Sequence, residues 1–139
     1  MVCFGMNLPD QTSLKILVVD DEPSVLVSLQ MLLTHLGHVV QTTDSGMAAL
    51  EQLTKETFDL VLTDYFMPDM RGDELAGHLK RRYPSLRIIM ISAYADVVKA
   101  DCLDRGLVDY VLSKPFDIPQ LKEAMNQAMS PRPPTVPAA

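Results

Sequence analysis

The chain has 139 residues, of which 18 are acidic and 12 basic, so its formal net charge at pH 7 is −6. That length corresponds to one domain, and a hydrophobic content of 47% is enough to build a packed core and too high for a disordered chain. A chain with a pI near 4.9 lacks the basic surface that binding to nucleic acid or to an anionic membrane requires. We therefore expect this segment to make no direct contact with either.

Both ends of the chain differ in composition from the segment between them. The first residues lack the basic and apolar regions of a signal peptide, and no apolar run is long enough to span a membrane. Four of the last nine residues are proline, which disfavours a helix. We interpret residues 1–13 as a leader, residues 14–129 as the domain, and residues 130–139 as a proline-rich tail or linker.

The two cysteines, Cys3 and Cys102, are far apart in the sequence. Their number and spacing give neither a disulfide framework nor a zinc site. We expect two free thiols, which suit a reducing compartment, and therefore a cytoplasmic location.

Five short apolar segments, several of them rich in valine and isoleucine, alternate with helical patterns. In chain order, the predicted strands are Ile16 to Val19, His38 to Thr42, Leu60 to Thr63, Arg87 to Ile91 and Tyr110 to Leu112. Nearly continuous hydrophobicity is typical of strands that are buried on both faces. The strands therefore need covering layers on both sides of the sheet.

The segments between the strands provide these layers as helices. One-sided apolar stripes at helical spacing are Val25, Leu29, Leu32 and Leu36 in the first helix, and Ile118, Leu121, Met125 and Ala128 in the last. Less marked helices are predicted from about Ser45 to Lys55, Gly72 to Tyr83 and Asp96 to Arg105, and Gly37 and Gly106 lie where helix ends favour a left-handed residue. The order is (βα)5, which predicts a doubly wound α/β fold with a parallel sheet and helices on both faces.

Such folds bind ligands beyond the carboxyl ends of the strands. The polar residues at those ends are Asp20, Asp21, Asp64, Ser92 and Lys114. Because the carboxyl ends of parallel strands meet at one edge of the sheet, we expect three acids, a hydroxyl and an ammonium to converge there.

Three neighbouring carboxylates repel one another unless a cation or a proton neutralises them. Oxygen ligands alone select a hard ion, and an open site with few carboxylates suits Mg²⁺, for which Mn²⁺ can substitute. A simpler alternative is that the run from Asp20 to Pro23 only caps the next helix, since acids and proline both favour a helix N-terminus.

Asp64 ends an apolar strand, so its side chain enters the predicted crevice. A carboxylate can act as a nucleophile and form an acyl phosphate, and phosphoryl transfer needs mainly positioning and charge neutralisation. Lys114 and a metal ion would supply that neutralisation, Ser92 would donate a hydrogen bond to a phosphoryl oxygen, and Ala93 leaves room for the group. The alternative is that each of these is an ordinary turn or loop residue.

Taken together, these residues make the chain resemble a receiver domain of bacterial two-component response regulators, the CheY-like superfamily. The resemblance covers Lys15 to about Met129. The motifs that carry it are Ile16-Leu17-Val18-Val19-Asp20-Asp21-Glu22, Asp64 followed by Met67-Pro68 and Gly72, Ile91-Ser92-Ala93, and Ser113-Lys114-Pro115-Phe116.

The resemblance implies a five-stranded sheet in the flavodoxin-like order 2-1-3-4-5. It makes Asp64 the phosphoacceptor and Lys114 its partner for the phosphoryl group. It assigns Mg²⁺ to Asp20, Asp21, Asp64 and the backbone carbonyl of Phe66. Ser92 becomes the switch hydroxyl, next to Ala93 in the phosphoryl pocket, and the peptide bond before Pro115 is expected to be cis.

The resemblance also implies partners. The phosphoryl donor would be a histidine kinase or a histidine phosphotransfer protein, and similar domains commonly form phosphorylation-dependent homodimers. The output domain or target protein is left open. Two other functions are also left open: a phosphorylation-independent pseudo-receiver, against which the intact acids, serine and lysine argue, and an aspartyl-phosphate hydrolase, which usually has a second acid where this chain has Phe66.

One position departs from the family pattern. Similar domains place an aromatic switch residue three positions before the lysine, where this chain has Val111, and Tyr110 lies four before. Either a bulge brings Tyr110 into that place or Val111 occupies it, and we favour Val111. Phe66 and Tyr94 are expected to flank the site, shield it partly from water and lengthen the phosphoryl lifetime.

The remaining candidates for chemistry are given structural roles. His35, His38 and His78 have no acidic partner at motif spacing and are predicted to lie on the surface. Met125 is predicted to fill the core rather than to form a binding face.

Overall fold

The computed structural model describes residues 13–131, in which five strands alternate with helices. The strands are β1 (Lys15–Val19), β2 (Val39–Thr43), β3 (Leu60–Asp64), β4 (Arg87–Ser92) and β5 (Tyr110–Ser113). The helices are α1 (Pro23–His35), α2 (Gly46–Lys55), α3 (Gly72–Arg82), α4 (Ala95–Val98, continued as a π-helix over Lys99–Leu103) and α5 (Ile118–Met129). The expected leader, apart from Ser13, and the tail beyond Pro131 lie outside the described residues.

The strands form one parallel sheet in the order β2-β1-β3-β4-β5, which confirms the expected fold class. Val19 pairs with Thr63, Asp64 with Ile91, and Ser92 with Ser113. This register brings the carboxyl ends of the central strands to a common edge. It therefore determines which side chains can meet there.

Two apolar layers cover the sheet, because strand side chains alternate between its faces. One layer packs Leu17, Val61, Ile88 and Met90 against buried residues of α2, α3 and α4. The other packs Ile16, Leu62, Ile89 and Ile91 against α1 and α5. Met125 lies in the second layer and fills the core as predicted. Cys102 is a buried free thiol in the first layer, and Cys3 lies outside the described residues.

Helix ends follow local sequence cues. Gly37 and Gly106 have φ values of 98° and 74°, in the left-handed region expected for them. Pro23 opens α1, and Asp117 caps α5 by accepting a hydrogen bond from the backbone N–H of Gln120.

Two helical predictions need correction. The helix predicted from Asp96 to Arg105 is α-helical only to Val98 and then widens to a π-helix. The stripe predicted for the last helix included Ile118, which is instead 45% exposed in the first turn, while Ala124 joins the buried face. Pattern alone identified both helices but did not fix their winding or their exact inward face.

No helix in residues 13–131 is long and apolar enough to cross a bilayer.

The prediction that His38 lies on the surface is wrong. Its side chain is buried, and its Nδ1 accepts a hydrogen bond of 3.0 Å from the backbone N–H of Leu14. Burial lowers the pKa of His38, because the charged imidazolium loses its hydration. The neutral ring therefore ties the segment before β1 to the end of the α1–β2 turn.

His38 should make stability depend on pH. A folded-state pKa below the unfolded value means that the stabilisation is present above the unfolded pKa and is lost as pH falls through the folded pKa. Between about pH 7.5 and about pH 5.5, the wild type should lose more unfolding free energy than His38→Asn, whose amide oxygen also accepts a hydrogen bond but does not titrate. The difference should be about 0.5–1.5 kcal/mol, the usual contribution of one hydrogen bond.

Urea denaturation at both pH values measures this difference. The substitution leaves His35 and His78 unchanged, so the two proteins differ in histidine content only at residue 38. Equal pH dependence in the two proteins would contradict the role of His38.

Candidate functional site

Three carboxylates converge at the carboxyl edge of the sheet. Carboxylate oxygens of Asp20, Asp21 and Asp64 lie within 4.8 Å of one another. Asp20 is buried, Asp64 is partly buried, and Asp21 is exposed. Asp20 and Asp21 directly follow β1 and Asp64 ends β3, so the pairing of these two strands creates the cluster.

Lys114 reaches this cluster from the end of β5. Its Nζ lies 3.0 Å from Asp64 Oδ1 and 3.6 Å from Asp20 Oδ2. With all groups ionised, the three carboxylates and one ammonium leave a local charge of −2. A divalent cation would neutralise that charge, and an all-oxygen donor set fits a hard ion such as Mg²⁺.

The electrostatics of the site reflect burial and crowding. Burial raises the pKa of Asp20 and of Asp64, and the neighbouring carboxylates add to the rise, although Lys114 opposes it. Burial alone would lower the pKa of Lys114, but its contacts with Asp64 and Asp20 outweigh that and raise it. The carboxylates therefore repel one another, and the lysine relieves only part of the repulsion.

The helix-capping alternative explains only one oxygen of the cluster. Asp20 Oδ1 accepts a hydrogen bond of 2.9 Å from the N–H of Glu22, the N-cap residue of α1. Asp20 Oδ2 faces Lys114 instead. Glu22 itself makes no side-chain capping hydrogen bond. The acids thus form a site in addition to starting a helix.

Ser92 ends β4 next to the position that pairs with Asp64. It is buried, and its Oγ accepts a hydrogen bond of 2.9 Å from the N–H of Tyr94. Its carbonyl accepts another from the N–H of Lys114. The exposed Ala93 follows it. The hydroxyl thus holds the start of the β4–α4 loop, while the backbone links that loop to the lysine.

The peptide bond between Lys114 and Pro115 is cis.

The loop between β3 and α3 is fixed at both ends. The N–H of Tyr65 donates to the carbonyl of Ile91, and its carbonyl accepts a 2.7 Å hydrogen bond from the N–H of Gly72. In the middle of the loop, Asp69 accepts hydrogen bonds from the N–H groups of Gly46 and Met47 at the start of α2. These contacts hold the backbone that follows Asp64.

Phe66 and Tyr94, which lie two residues after Asp64 and Ser92, form an aromatic pair. Their ring centroids are 5.9 Å apart in an edge-to-face arrangement. They are 55% and 63% exposed, so they form a rim rather than a lid.

Val111 and Tyr110 lie on opposite faces of the sheet. The side chain of Val111 is 4% exposed and packs in the layer that contains Val98 and Cys102 of the fourth helix. Tyr110 packs in the layer of α1 and α5. The pairing of β4 with β5 advances one residue at a time from Ile89 and Tyr110 to Ser92 and Ser113, without a bulge.

Sequence reasoning missed the role of Tyr65. Its ring is buried between the site and the fourth helix, and its hydroxyl donates to Asp101 Oδ2 at 3.1 Å. The position directly after the candidate nucleophile was a clue, but the hydrogen bond spans 36 residues and no local pattern predicts it.

A family model described as the response regulator receiver domain matches residues 16–126. The transcriptional regulatory protein ZraR of Klebsiella oxytoca is 37% identical over 116 residues, which are 83% of this chain and 26% of that protein. The DNA-binding transcriptional regulator NtrC of Azospirillum brasilense is 36% identical over 116 residues, which are 83% of this chain and 24% of that protein.

Among solved structures, the response regulator TrrA of Thermotoga maritima in complex with Mg²⁺ and BeF superposes with a TM-score of 0.76. The two sequences are 32% identical, and the superposed region covers 83% of this chain and 98% of the TrrA chain. By contrast, this chain spans only about a quarter of the length of the two curated regulators. The DNA binding that the name of NtrC states therefore does not decide whether this segment contacts DNA, and the absence of such contact remains a prediction.

Gly72 should be needed for the geometry of the loop after Asp64. A Cβ on Gly72 would lie 2.5 Å from the carbonyl oxygen of Asp64 and 2.6 Å from the sulfur of Met90. Because the carbonyl oxygen belongs to backbone and has little freedom to move, Gly72→Ala should destabilise the protein by about 1–3 kcal/mol. Chemical denaturation measures the change.

Gly77→Ala is the matched control in the same helix. The nearest atom to its added Cβ is the end of the Arg81 side chain at 3.7 Å, an ordinary contact. This variant should gain about 0.5–1 kcal/mol, since alanine is the better helix former. Similar effects from both substitutions would show that close packing around Gly72 is not the cause.

Proposed function

The chain belongs to the family of response regulator receiver domains, and from this membership we propose that Asp64 accepts a phosphoryl group in a Mg²⁺-dependent reaction that switches the domain surface. The observation that carries the proposal is the contact of Asp64 with Lys114 at 3.0 Å inside a cluster of three carboxylates. A turn residue would not need two further acids and a lysine around it.

The reaction is a transfer between two residues. A carboxylate oxygen of Asp64 forms a bond to phosphorus, and the bond between phosphorus and the imidazole nitrogen of the donor breaks, leaving its electron pair on that nitrogen. Lys114 lies close enough to Asp64 to pair with a phosphoryl oxygen. Metal binding is assigned to Asp20, Asp21, Asp64 and the backbone carbonyl of Phe66. Mg²⁺, for which Mn²⁺ can substitute, would supply positive charge to these oxygens when bound.

Ser92 and Ala93 form the other side of the phosphoryl pocket. The Ser92 hydroxyl, which accepts from the N–H of Tyr94, would turn to donate to a phosphoryl oxygen. That exchange releases the backbone of the β4–α4 loop, so the charge state of Asp64 changes the conformation of the loop. Val111, which faces the fourth helix from β5, then occupies the place of the aromatic switch residue.

The partners follow from the chemistry of the donor. A histidine kinase or a histidine phosphotransfer protein in the cytoplasm supplies the phosphoryl group. Residues 14–129 act as the receiver unit between the leader and the proline-rich tail. The domain is regulatory, and its own chemistry is limited to accepting and losing the phosphoryl group.

Acetyl phosphate tests the phosphoacceptor directly. With Mg²⁺, the wild type should gain the mass of one phosphoryl group, and Asp64→Asn should gain none because an amide is a poor nucleophile. Removing the metal with EDTA should also abolish the adduct. Mn²⁺ should restore it, since it prefers the same oxygen ligands. Intact-protein mass spectrometry measures each outcome.

Asp59→Asn is the matched control, because Asp59 precedes the same strand at its opposite end and accepts a hydrogen bond that an amide oxygen can also accept. It should be phosphorylated like the wild type. A wild type that never gains the group would instead indicate a phosphorylation-independent interaction module, and turnover of a phosphate ester would indicate a hydrolase.

The rim formed by Phe66 and Tyr94 should slow hydrolysis of the phosphoryl group. Replacing both residues with alanine opens the approach for water, and we expect autodephosphorylation to accelerate by up to about tenfold, which corresponds to about 1.4 kcal/mol in the barrier. Loss of the adduct over time, followed by mass spectrometry, gives the rate. Met31→Ala, which removes a comparably exposed apolar side chain on α1, should leave the rate unchanged. Equal rates in all three proteins would refute shielding.

A further inference from the structure

Tyr65 connects the candidate phosphoacceptor directly to the π-helical segment of the fourth helix. It follows Asp64 in the chain, its ring is 6% exposed, and the ring packs in the same layer as Val98 and Cys102. Its hydroxyl donates to Asp101 Oδ2 at 3.1 Å. One side chain therefore spans the distance from the end of β3 to the π-helical segment.

The backbone of Tyr65 cannot shift independently of the site. Its N–H is bonded to Ile91 of β4 and its carbonyl to the N–H of Gly72 at the start of α3. The ring also contacts the guanidinium of Arg71, 5.7 Å from the ring centroid. A tyrosine has two side-chain torsions, and packing restricts both. A displacement beside Asp64 would therefore be passed on to the hydroxyl.

The Tyr65 hydroxyl donates to a carboxylate that also accepts from Arg105. Burial by itself would raise the pKa of Asp101, but the hydrogen bonds from Arg105 and Tyr65 hold it below its usual value. The contact therefore joins a neutral donor to a charged acceptor, which is among the stronger kinds of hydrogen bond.

The two carboxylate oxygens of Asp101 accept hydrogen bonds from different sides, one from the interior and one from the surface. Oδ2 accepts from Tyr65, and Oδ1 accepts from the exposed Arg105 at 2.8 Å. Asp101 lies within Lys99–Leu103, where the helix widens to the rare π form. Loss of the Tyr65 hydrogen bond would leave Oδ2 with only the longer contact from Cys102 Sγ at 3.8 Å, so Asp101 and its partner Arg105 could shift at the surface.

Val111 has no equivalent contact. It reaches the same layer from β5, but its side chain has no polar group to bond to the fourth helix. Among the described residues, Ser92 makes the other polar contact from the site to this region, and it acts on the N–H of Tyr94 before the helix begins. Tyr65 instead reaches the π-helical segment itself, through its hydroxyl.

We propose that Tyr65 is a positioning residue that transmits the state of Asp64 to the π-helical segment of α4 through its hydrogen bond to Asp101. The proposal rests on the proposed function, because it requires that the site bind a phosphoryl group or its mimic. It assigns to the residue after Asp64 a role in signal output that is separate from the phosphoryl chemistry.

The test uses the full chain with Mg²⁺ and beryllofluoride, a stable mimic of an acyl phosphate. Amide hydrogen exchange reports local opening along the backbone. In the wild type, the mimic should change exchange both around Asp64 and over residues 95–103. In Tyr65→Phe, the change around Asp64 should persist, and the change over residues 95–103 should be mostly lost.

Tyr83→Phe is the matched control. The Tyr83 hydroxyl donates a 3.2 Å hydrogen bond to the carbonyl of Leu53, so the variant loses one hydroxyl contact of similar length. It should respond to beryllofluoride like the wild type. If the Tyr65 hydroxyl served only stability, Tyr65→Phe and Tyr83→Phe would both have a lower unfolding free energy. Both would then still show the beryllofluoride response at residues 95–103.

The acceptor provides a second test. Asp101→Asn keeps an oxygen that accepts from Tyr65 and should retain the response, whereas Asp101→Ala should lose it. Combining Tyr65→Phe with Asp101→Ala should cause no further loss, because both remove the same contact.

The outcomes separate the two proposals. A full response at residues 95–103 in Tyr65→Phe would overturn the role of Tyr65 and leave phosphorylation of Asp64 standing. A wild type that is phosphorylated by acetyl phosphate and shows no change at these residues would do the same. A wild type that neither gains a phosphoryl group nor responds to beryllofluoride would overturn both.

Discussion

Repulsion among three carboxylates at one sheet edge is the constraint on which the site depends. Asp20 and Asp64 are held there by the pairing of β1 with β3, so they cannot move apart without breaking the sheet. Lys114 offsets part of the charge from the end of β5, which is separated from β1 by two strands. A cation bound between these carboxylates would relieve a repulsion that the fold imposes.

The backbone segments around the cluster pack closely against one another. Gly72 brings the start of α3 against the carbonyl of Asp64, at a distance that no side chain would allow. Asp69 ties the same loop to the start of α2. Asp64 thus precedes a loop that is held from two helices, whereas Ser92 holds the start of the next loop through its hydroxyl contact with Tyr94 and its carbonyl contact with Lys114. In the proposed function, the hydroxyl contact is the one that is exchanged.

Local sequence patterns predicted the features that neighbouring residues determine. Continuous apolar runs identified the strands, and the polar residues after them identified the acids and the lysine. Contacts over long sequence separations were not predictable. His38 is buried because it accepts from Leu14, 24 residues away, and the strand order required the resemblance to a known family. The widening of the fourth helix at Lys99–Leu103 likewise leaves no mark in its apolar spacing.

Val111 and Tyr65 show why a departure from a family pattern needs a structure to interpret it. From the sequence, we favoured Val111, a smaller residue, for the place where similar domains have an aromatic switch residue. In the fold, the layer beneath the fourth helix contains Tyr65, which directly follows β3 and does not belong to β5. Tyr65 gives that layer a bulky ring and a hydroxyl that donates a hydrogen bond. With the role proposed for Tyr65, coupling from the site to the fourth helix comes from the residue that follows β3 and packs in this layer.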